Sequence, residues 1–132
     1  MATVKLLSDE EVSADALAVF DDIRAARGTD YVNNFWRALA HDPQLLRATW
    51  DRLSEIMGPG ALDPLVKELL YMAVSVTNGC DYCIHSHTAA ARAKGMTTEQ
   101  YNEFLAVIGM AAQTNQLVTA MKVPVDPAFE VD

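Results

Sequence analysis

The chain has 132 residues, 51% of them hydrophobic, and a formal charge of -8 that leaves only ten Lys and Arg. This length supports one domain with its own core. The acidic balance argues against nucleic-acid or anionic-membrane partners, which call for clustered cations.

No strand alternation, internal repeat or low-complexity segment stands out, and helix signals recur throughout, so the expected fold is an all-α bundle of about six helices in a single domain, 1–132. Ser8 with Glu11 has the form of a capping box opening a first helix, which carries Val12, Ala16, Val19, Phe20 and Ile23 on one face and stops at Gly28. A shorter helix is expected over Asn34 to Ala40, and Pro43 should end it by pushing Asp42 out of helical geometry. A third helix runs from about Gln44 to Met57 and stops at Gly58-Pro59-Gly60.

Asp63-Pro64 is a strong start for a fourth helix, with the carboxylate as cap and the proline at the first helical position. Its near-continuous apolar run to Val76 implies burial on most sides before Asn78-Gly79 breaks it. A fifth helix begins near Cys80 or Asp81 and ends at Gly95, with Arg92 and Lys94 suited to its negative end. Thr97 with Gln100 opens a sixth helix to about Ala120, loosened near Gly109. Its uncharged stretch, Phe104 to Met121, is interrupted by Gln113, Thr114, Asn115 and Gln116 and is expected as a buried helix, not a membrane span. Pro124 and Pro127 then impose an extended tail over 122–132.

The N-terminal stretch has no long apolar core ahead of a cleavage site, so a cytoplasmic location is expected. In that reducing setting two cysteines two residues apart suggest a redox pair or half of a metal site. On a helix turning about 100° per residue, Cys80, Cys83 and His87 fall at roughly 0°, 300° and 340°, while His85 at about 140° and Tyr82 at about 200° point elsewhere. A free thiol is only a few per cent ionised near neutrality, and the first turn of a helix, with its unpaired N–H groups and positive dipole end, favours the thiolate. His87 is placed to move a proton to or from Cys83.

Glu68 lies on the preceding helix. If helices four and five form an antiparallel hairpin, its axial offset from His87 is about 4.5 Å. A carboxylate at the far nitrogen of His87 would fix the tautomer and support the protonated ring, completing a relay to a thiol. The competing reading of the cysteines is a zinc site with His87 as third ligand, for which Glu68 or His85 would have to be recruited. Redox chemistry without metal or cofactor is preferred. His41 and His85 suit surface or capping roles, and Trp36, Trp50, Phe35 and the methionines suit packing.

The spacing Glu68, eleven residues, Cys80-x-x-Cys83, three residues, His87 closely resembles the alkylhydroperoxidase D-like (AhpD-like) branch of the carboxymuconolactone decarboxylase family. His41-Asp42-Pro43, Gly60-Ala-Leu, Asn78-Gly79-Cys80 and Gly95-Met96-Thr97 fit it too, so the resemblance covers roughly 38–116. It implies an all-helical subunit assembling into a trimer or hexamer, and a thiol peroxidase acting on a hydroperoxide without cofactor. It further implies Cys83 as the attacking sulfur, Cys80 as the resolving thiol, an external dithiol or thiol-disulfide reductant, and Glu68 with His87 as the proton relay. One position departs: the residue before the second cysteine is a histidine in some peroxidase members and Tyr82 here. The alternatives are a non-catalytic helical oligomer whose Cys-x-x-Cys-x-x-x-His senses redox state or binds zinc, and a decarboxylation in which the thiol pair has no obvious part.

Overall fold

The computed structural model describes residues 1–130, and among these it is all-helical: six α-helices and one short 3-10 turn, with no strand. The helices gather into two compact units, Met1–Gly58 and the residues from Pro59 onward.

In the first unit, α1 (Ala14–Arg27) is followed by α2 (Asn34–Leu39) and α3 (Pro43–Met57). The first helix starts at Ala14, later than the Ser8–Glu11 pattern suggests, because Ser13 accepts the Ala16 N–H and takes the capping role. Ser8 and Glu11 close a separate turn, with the Ser8 N–H on the Glu11 carboxylate at 3.0 Å and the Glu11 N–H on the Ser8 carbonyl at 3.1 Å. A local turn of this kind satisfies the same backbone groups as a helix start without propagating. Asp42 is extended, as Pro43 requires, and its carboxylate accepts from the Gln44 and Leu45 N–H groups at the head of α3.

The apolar face of α1 then supplies a core. Val19, Phe20 and Ile23 are buried together with Val32, Trp36, Leu46 and Trp50. Full burial of side chains of this size contributes about 1.5–3 kcal/mol each. The indoles of Trp36 and Trp50 meet edge to face at 5.4 Å, the preferred aromatic geometry. Arg37 binds the N-terminal segment to this core through the Leu7 carbonyl (2.9 Å) and Asp9 (3.1 Å).

The second unit contains α4 (Pro64–Thr77), α5 (Asp81–Ala93) and α6 (Thr98–Met121), then the 3-10 turn Pro127–Phe129. Asp63 caps α4 as its sequence predicts, and Thr97 with Gln100 forms a reciprocal capping box on α6. The reversal between α4 and α5 needs a left-handed residue, and Gly79 provides it at φ 64°. The chain closes there with the Cys80 N–H on the Ser75 carbonyl at 2.9 Å. Met72, Ala91 and Met96 form the small core of this unit, with Leu65, Leu69, Tyr101 and Phe104 packed around it.

Three expectations are corrected here. The tail is not extended throughout, since Pro127–Phe129 forms the 3-10 turn; positions 131 and 132 lie outside the described residues. The fourth helix is not buried on most sides: Glu68, Met72 and Ser75 are its buried residues, while Val66, Leu70 and Val74 are exposed. The sixth helix runs unbroken through Gly109 and has no buried residue, although its length and composition suffice to cross a membrane. For the two helices the physical reason is shared. Apolar content states a demand for burial, and within the described unit only the first turns of α6, at Tyr101 and Phe104, meet a core that answers it.

Replacing Gly79 by Ala places a Cβ in open space, so the cost comes from the backbone alone. A destabilisation of about 1–2 kcal/mol is expected, read as a lower urea midpoint with an unchanged denaturant slope.

Candidate active site

The turn that ends α4 fixes the position of both sulfurs. Cys80, held by the Ser75 carbonyl, is the N-cap of α5, and its Sγ accepts the backbone N–H of Cys83 at 3.4 Å. The cap role ordinarily belongs to a side-chain oxygen; here a sulfur fills it. Both cysteines are free thiols and partly buried. Burial, hydrogen bonding to Cys80 and the charge of that neighbouring sulfur push the Cys83 thiol up to about 11. For Cys83 this corrects the expectation that the helix start favours the thiolate. The two sulfurs compete for one electropositive corner, and the N–H of Cys83 is given to Cys80.

His87 follows Cys83 by one helical turn. Its Nδ1 is hydrogen-bonded to Glu68 Oε2 at 2.7 Å, and the second carboxylate oxygen accepts from Lys94 Nζ at 2.8 Å. The Glu68 side chain is 4% exposed, so both oxygens of a buried carboxylate are occupied. Burial alone would raise its pKa, but the hydrogen bonds from His87 and Lys94 and their charges outweigh that and hold the carboxyl below its ordinary value. The antiparallel hairpin needs no bridging water between Glu68 and His87.

On the other side of the imidazole, Tyr71 stacks on His87 with centroids 3.7 Å apart and planes 19° from parallel. Its phenol is raised by burial and then by the charges of Cys83, Cys80 and Glu68. Among the described residues, no group of three or more His, Cys, Asp and Glu side chains is arranged to hold a metal ion.

Of the four residues expected from sequence, Glu68 and His87 meet across the α4–α5 hairpin, and Cys80 and Cys83 meet at its turn, one helical turn before His87. His85 is exposed and outside this cluster, and Tyr82 is 44% exposed. The ring of His41 lies in the other unit, with Nε2 on the Lys5 carbonyl at 2.8 Å, a surface role. Sequence reasoning missed Tyr71 and Lys94. Both had a signal: Tyr71 is three residues beyond Glu68 on the same face of α4, and Lys94 falls at about 320° on the wheel that gathers Cys80, Cys83 and His87.

The chain belongs to the carboxymuconolactone decarboxylase family, whose pattern it matches over residues 43–126. It is 30% identical over 124 residues to the alkyl hydroperoxide reductase AhpD of Maricaulis maris, covering 92% of this chain and 68% of that protein. It is 37% identical over 70 residues to the AhpD of Mycobacteroides abscessus, there spanning 53% of this chain and 39% of the relative. The crystal structure of the alkylhydroperoxidase AhpD core from Rhodospirillum rubrum superimposes with a TM-score of 0.95 at 64% identity, covering 100% of this chain and 99% of that one. The chain is therefore AhpD-like in sequence and fold.

Because Cys80 contributes to the high pKa of Cys83, replacing Cys80 by Ser should make Cys83 ionise at a lower pH. Thiolate absorbance near 240 nm, titrated from pH 6 to 11 in wild type and variant, reads this directly.

Proposed function

We propose that the protein is a thiol-dependent peroxidase that reduces hydroperoxides through the Cys80–Cys83 pair, with Glu68 and His87 handling protons. The observation that carries this reading is the 2.7 Å hydrogen bond from His87 to a buried carboxylate, one helical turn from a paired thiol. The AhpD-named relatives support it, as does the match to an alkylhydroperoxidase core. A single domain over 1–132 and a cytoplasmic setting belong to the same proposal.

Burial and the Cys80 sulfur push the Cys83 thiol up to about 11, well away from ionisation at neutral pH. A base is therefore required. His87 takes the Cys83 proton, and Glu68, bonded to Nδ1, stabilises the imidazolium that forms. The sulfur attacks a peroxide oxygen, so the S–O bond forms as the O–O bond breaks. The alkoxide leaves with the proton held on His87, giving an alcohol and a sulfenic acid on Cys83. Cys80 then attacks that sulfur; an S–S bond forms and hydroxide departs as water after protonation. An external dithiol returns both sulfurs to thiols by exchange.

The uncovered apolar surfaces of α4 and α6 support the further proposal of a homo-oligomer, a trimer or hexamer. Val66, Leu70 and Val74 on one helix and Val107, Met110, Val118 and Met121 on the other are exposed. Apolar area on this scale marks an interaction surface in a soluble protein. Sedimentation at micromolar concentration should give a mass of at least three subunits, and a monomer would reject the assembly.

Replacing Cys83 by Ser should abolish peroxide consumption, while replacing Cys80 by Ser should permit one turnover that stalls at a sulfenic acid. Stopped-flow peroxide loss with a supplied dithiol, followed alongside the free-thiol count, separates the two. Full activity in the Cys83→Ser protein would reject the assigned nucleophile.

A further inference from the structure

The ammonium of Lys94 is outside the scheme above, yet it occupies the one oxygen of Glu68 that His87 does not. The carboxylate lies between two partners, one on α5 and one at its C-cap: Nδ1 of His87 at 2.7 Å on Oε2 and Nζ of Lys94 at 2.8 Å on Oε1. Lys94 follows His87 by seven residues, two turns along the same stripe, and its backbone N–H closes the end of α5 on Ala90, Ala91 and Arg92. The side chain must therefore run back along the helix to reach Glu68, and it stays partly in solvent.

We propose that Lys94 is a positioning residue for the proton relay: it anchors Oε1 of Glu68, keeps the buried carboxylate ionised, and so leaves Oε2 aligned on His87 Nδ1. A buried carboxylate with a single partner that loses its charge on giving up a proton would itself be drawn toward protonation. A permanently charged second partner removes that competition. Glu68 then stays the acceptor in both protonation states of the ring, and Nδ1 keeps its hydrogen while the opposite nitrogen does the chemistry.

The charged and titratable groups facing this carboxylate define what else could set its ionisation. From α5 and its C-cap they are His87 and Lys94; from its own helix, Tyr71, whose phenol feels the charges of Cys83, Cys80 and Glu68. On α6, Tyr101 packs at the same small core, with the guanidinium of Arg92 over its ring. Lys94 is thus the fixed cation of the cluster.

This proposal rests on Glu68 and His87 serving as the relay, and the test separates the two. The Glu68 carboxyl is titrated by carbon-13 NMR in wild type, Lys94→Met and Lys94→Arg, and the pH dependence of iodoacetamide alkylation of the thiol pair is measured in parallel. Loss of an adjacent cation should move the Glu68 midpoint up by about one to two pH units in the Met protein. The acid limb of alkylation should move up with it, while the Arg protein stays with wild type. Thermal unfolding checks each variant, and Lys94→Gln replaces the Met protein if that folds poorly. An unmoved carboxyl and acid limb in the Met protein, or an Arg protein that shifts as far as Met, overturns the assignment. If the carboxyl moves as expected but wild type consumes no peroxide, the peroxidase reading fails and the role of Lys94 stands.

Discussion

A buried carboxylate is the constraint on which the site turns. Glu68 sits on a helix whose other buried residues are Met72 and Ser75, and it could not remain charged there without partners. The two it has come from a single neighbouring helix, which means that the pairing of α4 with α5 and the charge state of the site are one fact. Shifting α5 by a residue would strand the acid, turn His87 away and remove the ammonium together. The tight glycine turn and the Ser75 carbonyl that holds Cys80 set that register.

The electrostatics of the sulfurs follow a different logic from that of the acid. A helix start offers only a few free N–H groups, and in this hairpin the N-cap position claims the one from Cys83. Two thiols side by side then behave as a pair, in which ionisation of one opposes ionisation of the other. The result is a Cys83 thiol that stays protonated until a base takes part.

Much of this was legible in the sequence. The caps at Asp42, Asp63 and Thr97 were, because capping is short-range chemistry between neighbours in the chain. Glu68, Cys80, Cys83 and His87 were brought together by helical period and one glycine turn, both local properties. The start of α1 was misplaced because a Ser–Glu pair three residues apart closes a lone turn as readily as it opens a helix. Lys94 was legible only as a favourable charge at a helix end, since its reach across to α4 depends on the packed pair. The burial of α6 was misjudged because hydrophobicity along a chain does not say which surface covers it.

The residues of the candidate site, from Glu68 to Lys94, are separated by 26 positions. Closing so short a stretch costs little chain entropy, and contacts of this kind form early because they need no distant partner. The candidate site is therefore built on one self-registering helical pair. A change confined to a loop elsewhere leaves the contacts within that pair in place, which gives the scaffold freedom to diversify around a constant centre.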